Sequence, residues 1–136
     1  PKTSAEDIAA GTYDWEDARE RCISDLAEML NVIVAGDTNT YEITRTKWLP
    51  RIESSIQLTV FPNMYPPQGC SSTVTYMGYS APEYNSDKAE YIMYNARCLN
   101  NETLASADFK FVIKLGRGKD GYIITGFSKE EVPNVK

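Results

Sequence analysis

Apolar residues recur at intervals of three and four along the first quarter of the chain, at Trp15, Ala18, Cys22, Leu26, Met29, Leu30 and Ile33. That spacing predicts an amphipathic helix with one broad apolar stripe. Arg19, Glu20, Asp25 and Glu28 fall on its other face. Asp14 stands where an N-cap belongs, and Glu16 and Asp17 suit the positive end of the helix dipole. Gly36 and Asp37 are expected to stop the helix. Towards the other end the period changes to two. Phe109, Phe111, Ile113 and Leu115 alternate with Lys110, Val112 and Lys114; a glycine-rich turn, Gly116 to Gly121, leads into Tyr122-Ile123-Ile124-Thr125-Gly126-Phe127. Alternation broken by a Gly/Asp cluster and then resumed predicts an antiparallel hairpin.

The middle of the chain is read from shorter signals. Thr38-Asn39-Thr40 either caps a short second helix, running through Trp48 and ended by Pro50, or precedes irregular chain. Ser54 to Phe61 reads as a strand with Ile56, Leu58 and Val60 on one face, followed by a proline-bearing loop, Pro62 to Gly69. Ser72 to Tyr79 and Glu90 to Leu99 are rich in β-formers and read as strands, joined by a polar connection from Ala81 to Lys88. On the second of these, Ile92, Tyr94, Ala96 and Cys98 share a face. Residues 1–13 read as a lead-in, 14–132 as a single α+β domain and 133–136 as a tail. One helix with one stripe needs a sheet to bury it against. The expected architecture is therefore a long N-terminal helix packed in a curved antiparallel sheet of four to five strands, a cone or roll whose open end forms a pocket.

Composition narrows the chemistry. The chain has 136 residues, 14 basic against 19 acidic, for a net charge of −5. That balance argues against nucleic acid, whose binders need a basic face. There is no histidine, which removes Ser-His-Asp and Cys-His catalysis. The cysteines, Cys22, Cys70 and Cys98, form no CxxC pair, so no metal and no cofactor is expected. Cys22 belongs to the helix stripe. Cys70 and Cys98 stand near strand ends, where they either pair as a disulfide, implying an oxidising compartment, or remain thiols. No apolar run approaches the ~18 residues needed to cross a bilayer. The sequence opens on Pro1, and membrane attachment is expected through a segment upstream of it.

The helix from Trp15 to Val34 and the hairpin from Phe109 to Phe127, with its DGYIITGF run, resemble the nuclear-transport-factor-two-like or cystatin-like superfamily. The resemblance implies a cone-shaped α+β fold. Enzymes of that superfamily, such as ketosteroid isomerases, dehydratases and small cyclases, place an Asp, His or Tyr in an apolar pocket where burial tunes its pKa. The matching candidates are Asp25, Glu28, Tyr94, Asp108 and Tyr122. Asp25 and Glu28 lie on the polar side of the helix, and Asp108 marks a strand start, so no catalytic residue is assigned.

Tyrosines and methionines cluster between Met64 and Tyr94. Such side chains suit half-buried strands, and they also suit contact surfaces. Met64, Tyr65, Pro66, Tyr79 and Tyr84 are the binding residues expected on this pattern. The favoured reading is a non-enzymatic, extracytoplasmic binding or assembly domain of a membrane-anchored protein. It is similar in outline to the assembly-factor component of type IV secretion and conjugation systems. Its partners are then other protein subunits, including copies of itself. One rival is a ligand-binding or enzymatic cone, which requires a deep pocket with a buried carboxylate or a tyrosine pair. Others are a secreted lipoprotein or inhibitor that binds one partner protein, and a pilin-type subunit.

Overall fold

The computed structural model describes residues 4–34, 38–64, 70–80 and 90–132. Helices α1 (Ser4–Ala10), α2 (Trp15–Val34), α3 (Thr38–Trp48) and α4 (Gln57–Met64) precede strands β1 (Cys70–Ser80), β2 (Glu90–Asn100), β3 (Ser106–Gly118) and β4 (Gly121–Val132). The strands form one open antiparallel sheet in chain order, β1-β2-β3-β4. The fold is α+β, as the change of period along the chain requires.

The long helix forms where its stripe predicts. Asp14 caps it, its carboxylate accepting the Asp17 N–H at 3.0 Å. Ala18, Cys22, Leu26, Met29, Leu30 and Ile33 are buried, each Leu, Ile or Met contributing about 1.5–3 kcal/mol when fully removed from water. The expected stop at Gly36 and Asp37 lies outside the described residues. The stripe packs on the inner face of the sheet, where Ile92 lies opposite Ile113, Tyr94 opposite Phe111 and Leu115 opposite Ile124. Two irregularities bend the sheet, one between Tyr76 and Gly78 and one where β4 carries an extra residue opposite Lys114/Leu115. The β3–β4 turn is tighter than expected, with only Lys119 and Asp120 between paired Gly118 and Gly121. Gly121 takes φ +128, a conformation open to glycine.

The segments with shorter signals resolve in different ways. Residues 4–10 of the lead-in are helical, and Tyr13 packs edge-on to Trp15 at 4.7 Å between ring centroids. Residues 38–48 take the helical alternative and end in a 3₁₀ turn holding Pro50. The segment read as a strand from Ser54 to Phe61 is a 3₁₀ turn, Ser54–Ile56, and then α4. A short apolar run fits either period, and here adjacent Val60 and Phe61 are both buried while Leu58 is 88% exposed, which is helical and not alternating. The Gln57 side chain anchors the helix start by donating to the Leu49 and Ile52 carbonyls. Pro62, expected to open a loop, sits inside α4 on an exposed face, where it withdraws one backbone bond. The sheet consequently has four strands.

The cysteines are all free thiols. Cys70 lies opposite Asn100 and Cys98 opposite Ser72, whose hydroxyl is 2.7 Å from the Cys98 sulfur. That offset makes Cys70 and Cys98 diagonal neighbours, a relation with Cβ atoms about 7 Å apart, whereas a disulfide needs about 4 Å. The bridge held open by the sequence is therefore not formed in this register.

The helical assignment of α4 separates two neighbouring substitutions. Phe61→Ala is expected to cost about 3–5 kcal/mol in chemical denaturation, and Leu58→Ala to stay within about 0.5 kcal/mol of the parent. If the segment were a strand with Leu58 inward, Leu58→Ala would be the costly change.

Candidate functional site

At the end of the sheet where β2 begins, one carboxylate gathers side chains from every strand. Glu90 is 4% exposed. Its Oε1 accepts the hydroxyls of Tyr79 on β1 and Tyr122 on β4, the latter at 2.8 Å. Its Oε2 accepts Arg117 Nε of β3 at 3.3 Å. Tyr122 meets Trp15 edge-on at 4.9 Å, and the Arg117 guanidinium lies 4.8 Å from the Trp15 ring. Arg19, one turn along α2, covers the Tyr79 ring at 4.3 Å. The start of α2 thus closes over a network in which every buried polar side-chain atom has a partner among the described residues.

The electrostatics follow from that saturation. Burial pushes the Glu90 carboxyl up, but hydrogen bonds from Tyr79, Arg117 and Tyr122, with the Arg117 charge, outweigh it and hold the group below the ordinary glutamate range. Burial and the bond to Glu90 raise both Tyr79 and Tyr122 above the usual phenol value. Glu90 is an ionised acceptor and the tyrosines are neutral donors. A general base needs a pKa drawn up towards neutrality, and this carboxylate is drawn the other way.

Beside the network, between α2 and the β3–β4 turn, lies a cleft of about 560 Å³. Tyr122 belongs to both. Arg21, Asp25, Arg51, Lys119 and Asp120 give the cleft a mixed charge. Arg21 pairs with Asp17 at 2.9 Å and Arg51 with Asp25 at 3.5 Å. Cys22 also lines it, its thiol pushed up to about 11 by burial, against the pull of the nearby Arg51. A thiol so protonated is not a nucleophile at neutral pH. Among the described residues no cluster of three or more His, Cys, Asp or Glu is arranged to hold a metal.

The candidates read from sequence scatter. Tyr122 is in the network, whereas Tyr94 is fully buried and donates to the Ile23 carbonyl at 2.7 Å. Asp25 is on the cleft wall, Glu28 is exposed, and Asp108 is held by a two-point contact from Arg97 at 2.9 and 3.2 Å. Of the expected binding residues, Tyr79 is engaged inside the network, and Met64 ends α4. Tyr65, Pro66 and Tyr84 lie outside the described residues. Glu90 is not among those candidates, and the one signal for it in the sequence is its phase. It is in phase with Ile92, Tyr94, Ala96 and Cys98, and a carboxylate in phase with an apolar face must find donors.

No family model matches the chain, and no curated protein does. The superfamily resemblance accordingly rests on the helix and hairpin alone. Among solved structures, the soluble domain of TrwG of the type IV secretion machinery from Bartonella grahamii is similar over 80% of this chain and 92% of that one. The TM-score is 0.51 and the sequence identity 11%. A periplasmic fragment of TraM is similar over 84% of this chain and 98% of that one, with a TM-score of 0.47 and 13% identity. The likeness to the TrwG domain is one of fold.

Glu90 sets a pH dependence whose sign is fixed. Its folded pKa is below its unfolded one, so its stabilising contribution is complete above about pH 4.3 and is lost as pH falls through the folded value. Glu90→Gln is expected to cost about 2–3 kcal/mol at pH 7 and to flatten the loss of stability in acid, measured by urea denaturation across pH 3–7. An unaltered acid limb in the variant would assign that limb to other carboxylates.

Proposed function

We propose that this chain is a non-enzymatic protein-binding domain of an extracytoplasmic secretion or conjugation apparatus, attached to a membrane by a part of the protein outside this sequence. The observation that carries the reading is the filling of the fold's inner face. Where a cone of this shape would take a substrate, Tyr94, Phe111 and Ile113 are packed against α2. At the open end Glu90 is ionised and occupied by three donors. Neither arrangement leaves a group poised for proton transfer. The likeness in fold to the soluble domain of TrwG supports the choice of machine. Protein partners are recognised through exposed apolar side chains of β1, Met77 and Tyr76, the latter at the rim of the sheet beside the Tyr94 ring. No helix among the described residues is long and apolar enough to cross a membrane.

One observation favours a second reading. A buried carboxylate flanked by two phenols, next to a cleft, is what a ligand-binding cone would carry. In that case a ligand entering the cleft must displace Tyr122 or Arg117 from Glu90, and it must supply donors of its own.

The test uses the natural gene in its own cells, with an epitope tag on the protein. Protease added outside the cytoplasmic membrane is expected to digest the tagged protein, cross-linking to attach it to other secretion subunits, and deletion of the gene to abolish substrate transfer. Full protection from protease, or normal transfer after deletion, would overturn the reading.

A further inference from the structure

The β3–β4 turn leaves a short stretch of sheet edge open to the cleft. A two-residue turn is flanked by a hydrogen-bonded pair, here Gly118 and Gly121, and an antiparallel ladder then alternates. Gly116 and Ile123 are the next bonded pair, so the N–H and C=O groups of Tyr122 and Ile124 point away from β3. The Ile124 carbonyl shows that phase directly, accepting the Glu53 N–H at 2.9 Å from outside the sheet. Ile52 is bridged to Ile124 in parallel, but Leu49–Arg51 are coiled in the 3₁₀ turn and carry the pairing no further. Gly121, Tyr122 and Ile123 all line the cleft, although Tyr122 and Ile123 send their side chains to opposite faces of the sheet; what they share there is the edge of the backbone. Among the described residues the Tyr122 N–H and C=O have no partner, in a residue only 6% exposed. Backbone groups so placed are nearly always paired, which marks the position for a molecule from outside the fold.

We propose that the cleft binds a short peptide in extended conformation, laid alongside β4 so that one of its residues exchanges both backbone hydrogen bonds with Tyr122. An outward N–H and C=O on one edge residue are matched by the C=O and N–H of a strand-shaped neighbour. Glu53 holds the same relation to this edge one step further along, at Ile124. The cleft volume of about 560 Å³ lies in the range of sites that enclose a small ligand, room for a single extended segment and not for a folded element. The peptide side chain opposite Tyr122 shares its face, towards α2, where the buried Ala18 and Cys22 form the wall, so a small apolar side chain fits there. The charges around the cleft are balanced, Arg51 against Asp25, Arg21 against Asp17 and Lys119 beside Asp120, which suits a neutral backbone better than an ion of either sign. The bonds from Tyr122 and Arg117 to Glu90 stay in place, because the peptide engages only main-chain groups of Tyr122. The inference stands independently of the secretion reading, since it follows from the strand edge and the cleft and not from the machine.

NMR titration of the isotope-labelled chain with the peptide acetyl-Ala-Val-Ala-amide, up to about 10 mM, tests it. The expected result is a set of shifts that saturate and centre on the amides of Gly121, Tyr122 and Ile123, with the Glu90 carboxyl signal unmoved. The same peptide methylated on the nitrogen of each of its three residues keeps the side chains and loses the donors that reach the Tyr122 carbonyl, so it is expected to bind at least about tenfold more weakly. A spectrum without shifts across that range would overturn the proposal. So would shifts centred elsewhere on the chain, or equal binding of the methylated peptide.

Discussion

The buried carboxylate of Glu90 is the constraint around which one end of the molecule is organised. Removing an ionised carboxylate from water costs several kcal/mol unless it is fully hydrogen-bonded. Here the donors come from three different strands, so the solution is possible only when β1, β3 and β4 are all in place. The consequences reach the start of α2, because Trp15 and Arg19 pack on the aromatic and cationic groups that serve Glu90. The tight β3–β4 turn, with φ +128 at Gly121, is what brings Tyr122 and Arg117 to the same carboxylate. A Cβ at Gly121 would also press on the Tyr13 hydroxyl at 3.3 Å, so glycine there serves both conformation and packing.

The remainder of the core is apolar and needs no such matching. α2 runs along β1, its stripe sharing one core with the inward residues of β2, β3 and β4, and α3 and α4 close the side with Trp48, Val60 and Phe61. The connector that follows Trp48 reaches the sheet through Ile52, bridged to Ile124, and through the Glu53 N–H, which donates to the Ile124 carbonyl at 2.9 Å. That leaves two kinds of surface. One is the mixed-charge cleft beside Tyr122, and the other is the exposed part of β1 around Tyr76 and Met77, a strand without a charged residue. A domain built for contact with proteins would use the second kind.

How much of this was legible in the sequence depended on the length of each signal. The α2 stripe spans five turns and the closing hairpin alternates for most of its length, so both were readable, down to the Asp14 cap. The run from Ser54 to Phe61 is too short for its period to be decisive, and Gln57 pins it as a helix through contacts to Leu49 and Ile52 that periodicity does not encode. Tyrosine suits contact surfaces, and no local pattern shows that the Tyr79 hydroxyl bonds Glu90. Glu90 was hidden by its place at a strand end, where a charged residue is unremarkable; only its phase with Ile92 and Tyr94 gives it away. Its donors lie 11, 27 and 32 positions away along the chain, separations that local patterning does not connect.

The central claim is that Glu90 is an ionised anchor and not a proton-transfer group. Carbon-detected NMR of the Glu90 side-chain carboxyl across the pH range tests that most directly. The account expects a titration midpoint below the ordinary glutamate range, ending where acid unfolding begins. A midpoint drawn up towards neutrality would contradict it, and would make this carboxylate, with Tyr79 and Tyr122, a site poised for acid–base chemistry.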